Sequence, residues 1–372
     1  MSNRGTLRSG VHSNVIATAG DEGVSLMVTA VYRGLALGAA ALACAGCGRG
    51  SADDGQAVAM TMAPVRVAET RPLMGVAWTI VVHAHDQASG RQAIAAGFAE
   101  AERLERILSD YDTESELSRL SAAAPTPQPV RVGDDLWNVL ERADTIHGLT
   151  DGAFDITVGP LTRLWRQARR SGHMPRPDKL AAARAAVGAG AILLDRENRT
   201  ATLTRPGMRL DLGGIGMGYA ADHVLAVLAA RGIASAMVDA SGDVAVSAAP
   251  PGTEGWRIEV APMRDGGDPE VVVLHHAAIT TSGDARQSVE IDGRRFSHIV
   301  DPTTGLGVAG PAAVTIIAPD CTTADAVATA ASVMGHDRAP AMISRFPGVS
   351  ARFAWRDGET ARVSVTQGWP GR

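Results

Sequence analysis

Asp211-Leu-Gly-Gly-Ile-Gly-Met-Gly-Tyr-Ala220 decides how this chain is read. It lies between an apolar run with Met208, Leu210 and Leu212 and a helix-like run with Val224, Leu225 and Leu228, closed by Gly232. A strand, a glycine-rich turn and a helix N-terminus in that order predict an anion cradle. Glycines let backbone N–H groups approach an oxyanion, and the helix end adds partial positive charge. A phosphate or diphosphate is the expected ligand, although a tight turn without ligand uses the same residues. The dinucleotide fingerprint does not fit, because G-x-G-x-x-G from Gly214 or Gly216 would need glycine at Tyr219 or Ala221. A Walker A loop needs Gly-Lys-Ser/Thr, which this turn lacks.

Outward from the turn, periodicity predicts the flanking elements. Val76 to His85 alternates, with β-formers at Val76, Trp78, Ile80 and Val82, so a strand is expected. Gln92 to Leu108 places Ile94, Phe98, Leu104 and Leu108 on one stripe, the mark of an amphipathic helix. Further helices are expected at Asp134 to His147, Lys179 to Ala189 (on the surface) and from the glycine turn to Arg231. Strands are expected at Ala236 to Asp239, Trp256 to Val260, Val271 to Leu274, Ser288 to Ile291 and Val314 to Ile317. The last helix should run from near Thr322 to before Gly335, and Ser350 to Val365 should form a hairpin turning at Asp357-Gly358. Elements grouped rather than strictly alternating, with no repeat or internal linker, predict an α+β (mixed α/β) fold in one unit, residues 67–372.

A chain 45% hydrophobic and 20% charged has ample material for a core. A net charge of −5 without a basic block, and only 4% aromatics, argue against a nucleic-acid partner. Residues 1–47 differ. Arg33 precedes a small apolar run, Gly34 to Ala43, ending in Cys44-Ala-Gly-Cys47, which predicts a secretory signal too short to span a bilayer of about 20 residues. Small residues before a cysteine resemble a bacterial lipobox, with Cys47 lipidated, or Cys44 as the alternative, and residues 48–66 as a tether. With two of the three cysteines there, Cys321 is left without a disulfide partner.

Three other stretches could carry chemistry. In Thr322-Thr-Ala-Asp-Ala-Val-Ala-Thr329, Thr322 could cap the helix, and Asp325 and Thr329 share one helical face. A carboxylate and a hydroxyl so placed suit a hard cation such as Mg²⁺, or the carboxylate simply answers the helix dipole. In Thr150 to Pro160, a helix-to-strand loop, Asp155 and Thr157 could meet a polar ligand beside Phe154, or the aspartates could close Asx-turns. Ser297, His298 and Asp301 invite a triad reading, which the lack of a G-x-S-x-G elbow argues against. His83, His85, His275 and His276 are expected on the surface.

The order of motifs is similar to that of the ApbE family of Mg²⁺-dependent FAD:protein FMN transferases, typically exported bacterial lipoproteins. The residues that carry the resemblance are Met74-Gly75, Asp110-Tyr-Asp112 with Ser115 to Leu120, Gly152 to Pro160, Asp211 to Gly214 with Gly218-Tyr-Ala220, Ser241-Gly-Asp243, Thr281 to Asp284, Ser297 to Pro302, and Ala324-Asp325 with Thr329. The resemblance implies FAD contacts at Met74, Tyr111, Ala153, Phe154, Asp155, Asp211, Met217 and Ile299. It implies Mg²⁺ ligands at the Gly214 carbonyl, Asp325, the Ala328 carbonyl and the Thr329 hydroxyl. Many relatives carry a lysine where Met217 stands. His298 and Asp284 are candidate general bases for attack by a serine or threonine hydroxyl of an acceptor flavoprotein. The family also implies a lipid anchor through Cys47 on the periplasmic face of the bacterial membrane. Hydrolysis of FAD to FMN and AMP, or FAD binding without turnover, are the alternative activities.

Overall fold

In the computed structural model the chain is described at residues 63–261, 269–283, 288–309, 312–358 and 360–371. The expected signal with Cys44 and Cys47, most of the expected tether, and Asp284 lie outside those residues. The chain starts as an antiparallel pair, β1 (Val65–Leu73) and β2 (Val76–Ala84), followed by α1 (Gln87–Leu108) and α2 (Glu116–Ala122). Next come β3 (Val130–Arg131), α3 (Asp134–Leu149), α4 (Gly159–Ser171), α5 (Pro177–Ala185), β4 (Ile192–Asp195) and β5 (Thr200–Leu203). After the glycine turn follow α6 (Gly216–Ala230), β6 (Ser235–Ala240), β7 (Asp243–Val246), β8 (Trp256–Val260), β9 (Glu270–Leu274) and β10 (Ala277–Gly283). The rest is β11 (Ser288–Ile291), β12 (Arg294–Val300), β13 (Gly307–Ala309), β14 (Ala312–Ala318), α7 (Cys321–Ile343), β15 (Ser350–Asp357) and β16 (Thr360–Val365).

An eight-stranded antiparallel sheet, ordered β1-β2-β6-β7-β10-β14-β15-β16, organises the molecule. Side chains of period two split it into two buried faces. Ile80, Val82, Val238, Ala278 and Ile316 point into the main core, where the stripe Ile94, Phe98, Ala101 and Leu104 of α1 packs with α6 and α7. Val81, Met237, Val244 and Ile279 point the other way, onto the β8–β9 hairpin with Trp256, Ile258 and Val260. A third core joins Leu161, Trp165 and Ala168 of α4 to Phe296 and Val300 of β12. It packs α4 against the small β11-β12-β13 sheet.

Several expectations need correction. Residues 208–212 form no strand; Arg209 makes a single parallel bridge to Val158, because no neighbouring strand runs beside this short extended piece. Thr150 to Pro160 leads into a helix, α4, with Pro160 in its first turn and Leu161, Trp165 and Ala168 on one face. Thr322 is not the cap of α7. The Asp320 carboxylate accepts the Thr323 N–H at 2.7 Å. Asp222 of α6 takes the Cys321 and Thr322 N–H groups at 2.8 and 2.9 Å. These bonds answer orphan donors of the first turn. The last helix, expected to end before Gly335, breaks there (φ 76°), but α7 resumes and runs to Ile343. β1 starts at Val65, inside the expected tether. His83 is half-buried rather than on the surface, its ring edge-on to Trp256 at 5.7 Å, and burial lowers its pKa.

Two local devices place residues at the site. Met74 and Gly75 turn β1 into β2 with positive φ at both (51° and 76°), as a two-residue hairpin requires. Between α1 and α2, Ser115 caps α2 by accepting the Ser118 N–H at 3.0 Å, and donates to the Ser109 carbonyl at 2.5 Å. This pins the loop carrying Asp110 and Tyr111. Ser115→Ala should lower unfolding free energy by about 1–2 kcal/mol, read by equilibrium urea denaturation.

Candidate active site

A cleft of about 630 Å³ opens between the β1–β2 turn, the end of α1, α4, β12 and the glycine turn. Such a volume suits a cofactor-sized ligand, for which sites of roughly 300–1,000 Å³ are usual. Met74, Tyr111, Ala153, Phe154, Asp155, Asp211, Met217 and Ile299 all border it, as do Gly214, Thr329 and His298. Asp325 and Ala328 lie buried behind the glycine turn on α7. Both Asp301 carboxylate oxygens close its own loop, accepting the Thr303 N–H at 2.8 Å and the Thr304 hydroxyl at 3.0 Å, which argues against a triad.

The glycine turn meets α7 through close backbone approach. α6 begins without a side-chain cap, leaving its first N–H groups to other acceptors. The Gly218 N–H donates to Asp325 Oδ2 at 3.3 Å. A Cβ on Gly214 would stand 2.7 Å from Thr329 Oγ1, and one on Gly218 would stand 2.3 Å from the Cys321 carbonyl oxygen. The Ala328 carbonyl accepts the Ser332 hydroxyl at 2.9 Å. The oxygens around Asp325 are therefore all hard donors.

Electrostatics bear on whether these residues fit a cation. Burial, with Asp243 and Asp222 nearby, raises the Asp325 pKa well above the ordinary carboxylate range, and the Gly218 N–H offsets this only in part. Among the described residues no cationic side chain pairs with Asp325. A buried carboxylate among carboxylates needs a proton or a cation, and one carboxylate with a hydroxyl and carbonyls fits Mg²⁺. No cluster of three or more His, Cys, Asp or Glu with metal-binding geometry occurs among the described residues, so the ion's remaining ligands would be water and substrate.

Asp243 on β7 shares this buried neighbourhood, and burial pushes its pKa up to about 7, with the Asp239 charge adding. A raised acid pKa means the folded chain holds the proton that the unfolded chain has lost. Its stabilising contribution is therefore full below the ordinary value of 3.8 and is lost as pH rises through about 7. Stability without divalent cation should fall between pH 5 and 7, by on the order of 1 kcal/mol per pH unit from this group. Asp243→Asn should flatten that slope in chelator-treated denaturation curves.

On the opposite wall, the Asp155 carboxylate closes an Asx-turn, accepting the Thr157 N–H at 2.8 Å and hydroxyl at 2.7 Å. Phe154 is buried against the core and its carbonyl accepts from His147 Nδ1 at 2.8 Å. Asp211 Oδ1 accepts the Gly213 N–H at 2.8 Å. Its Oδ2 accepts from the Thr162 hydroxyl at 2.6 Å and from Arg166 Nη2 at 2.9 Å. Arg166 also pairs with Asp110 at 2.5 Å, and its guanidinium lies 4.2 Å from the Tyr111 ring centre. Burial raises the Asp110 pKa, Asp211 adds to it, and Arg166 opposes both.

Sequence reasoning gave Asp222 no role, held Asp243 only as part of a motif, and missed Thr162 and Arg166. Their signal was the Leu161, Trp165, Ala168 spacing, which makes α4 a helix and sets Thr162 and Arg166 four apart on one side.

The model of the ApbE family matches residues 74–353. The chain is 33% identical over 320 residues to a FAD:protein FMN transferase of Treponema pallidum, covering 80% of this chain and 82% of that protein. It is 32% identical over 253 residues to the FAD:protein FMN transferase of Haemophilus influenzae, covering 64% of this chain and 73% of that one. Its fold matches the apo form of Pseudomonas stutzeri flavinyl transferase ApbE with a TM-score of 0.74 at 29% identity, over 82% of this chain and 96% of that one. The flavin transferase ApbE from Vibrio cholerae matches with a TM-score of 0.74 at 29% identity, over 82% and 98% of the two chains.

Proposed function

The chain belongs to the ApbE family, and on that premise we propose that it transfers FMN from FAD to a serine or threonine hydroxyl of an acceptor protein. One observation supports this most: residues from Met74 to Ile299, far apart in sequence, border a single cleft with the glycine turn and Thr329. FAD is the substrate. Its diphosphate would lie against the glycine turn and the uncapped start of α6, with the ring systems toward Tyr111 and the apolar wall of Met74, Ala153 and Ile299.

The acceptor hydroxyl oxygen attacks the phosphorus of the FMN half. The anhydride bond to the AMP phosphate breaks, AMP leaves, and the hydroxyl proton passes to a base. His298, facing the cleft from β12, is the base we assign. Asp284, outside the described residues, is the other candidate. Asp325, the Thr329 hydroxyl and the Gly214 and Ala328 carbonyls would hold Mg²⁺, which when bound supplies Lewis-acid stabilisation of charge on the phosphates. Thr162 and Arg166 hold Asp211, and the backbone of the turn then presents its N–H groups in fixed positions. We further propose that residues 1–47 direct export and that a lipid on Cys47 anchors the protein at the periplasmic face of the membrane. No helix among the described residues is long and apolar enough to cross one.

The test mixes the purified full-length chain with FAD and a flavin-accepting subunit, with and without Mg²⁺, and reads acceptor mass and free AMP together. An acceptor heavier by one FMN, with matching AMP and only with Mg²⁺, is the expected result. AMP and free FMN with an unmodified acceptor would point to a hydrolase. Bound FAD without AMP would leave a binding protein and overturn the reading.

A further inference from the structure

One guanidinium ties three walls of the cleft together. From α4, Arg166 bonds Asp110 at 2.5 Å, on the loop that carries Tyr111, and Asp211 at 2.9 Å, at the root of the glycine turn. Its Cζ lies 4.2 Å from the centre of the Tyr111 ring. Tyr111 is 74% exposed, so little else packs round its side chain. An exposed ring samples several rotamers and loses that freedom when a ligand stacks on it. Between Asp110 and Asp211, Arg166 also cancels a repulsion that would spread the two walls, as the upward shift of Asp110 through burial and Asp211 reflects.

We propose that Arg166 is a positioning residue for the flavin dinucleotide. It occupies one face of Tyr111, so that the other face receives a planar ring of the substrate. Through Asp211 it holds the glycine turn at the spacing that the dinucleotide spans. This rests on the flavin-transfer reading above. The role needs a planar fork that bonds two carboxylates while stacking on a ring, which a lysine ammonium cannot reproduce.

The experiment compares the full-length wild type with Arg166→Met, Arg166→Lys, Tyr111→Ala and the Tyr111→Ala/Arg166→Met double variant. KM for FAD, kcat for FMN transfer and thermal midpoint are measured for each. The expected result is KM raised about tenfold in Arg166→Met and nearly as much in Arg166→Lys, with kcat within about threefold. Adding Arg166→Met to Tyr111→Ala should raise KM little further, because the two act as one unit. Arg166→Lys keeps a charge between the acids and serves if Arg166→Met does not fold. Unchanged KM with a lowered thermal midpoint, wild-type KM in Arg166→Lys, or fully additive losses in the double variant would each overturn the proposal. Failure of the wild type itself to bind FAD would overturn the proposed function and this inference with it.

Discussion

Asp325→Asn is expected to abolish FMN transfer, with kcat/KM falling by at least about 10³-fold, while the fold survives. The carboxylate is the only charged group proposed to hold the divalent ion, and of its acidic neighbours Asp222 is already taken up by the Cys321 and Thr322 N–H groups. Asparagine keeps the shape and one oxygen but cannot neutralise Mg²⁺. Because burial and neighbouring acids hold the Asp325 pKa high, ionising it weakens the cation-free protein as pH rises. The asparagine variant should therefore be at least as heat-stable as the wild type in chelator at neutral pH. Added Mg²⁺ should raise the thermal midpoint of the wild type and leave that of the variant unmoved. Turnover at wild-type rate in Asp325→Asn would sink the metal assignment.

Gly218→Ala is expected to damage stability and activity together. The added methyl would stand 2.3 Å from the Cys321 carbonyl oxygen and 2.7 Å from its carbon, both backbone atoms that cannot turn aside. α6 and α7 must then separate where they meet. Alanine's better helix propensity, worth about 1 kcal/mol, does not offset this overpacking. A net loss of about 3 kcal/mol corresponds to a midpoint lower by roughly 5 °C in a folded unit of about 300 residues. Separation also moves Asp325 and Thr329 away from the glycine turn, so transfer should fall on the order of 10²-fold. Gly148→Ala is the control: it lies in α3 with nothing within 4 Å of the added atom, and should be neutral or stabilising. Equal stability of the two variants in calorimetry would contradict the close approach.

Much of the fold was written in local pattern. The stripe of α1, the alternation of β2, the hairpin of β15 and β16 and the break at Gly335 follow from periods of 3.6 and 2 and from turn residues. Where pattern was thin, expectation failed. Met208 to Leu212 has strand-like alternation but no neighbour to pair with, and pairing is a tertiary event. The cap of α7 was misplaced by two residues, because Asp320 rather than Thr322 accepts the Thr323 N–H, and the partner of the Cys321 and Thr322 N–H groups, Asp222, comes from another helix.

The same division runs through the site. By itself the sequence determined the glycine turn ahead of a helix, and the Asp325 and Thr329 oxygens on one face of another. Both are consequences of neighbours within a few residues, where covalent geometry dictates position. Only the tertiary structure decided that these pieces meet. The Gly218 N–H reaches Asp325 across 107 residues of chain, and Arg166 reaches back to Asp110 across 56. The main core and the core between α4 and β12 bring those groups together, and their charges acquire meaning only when burial strips water from them.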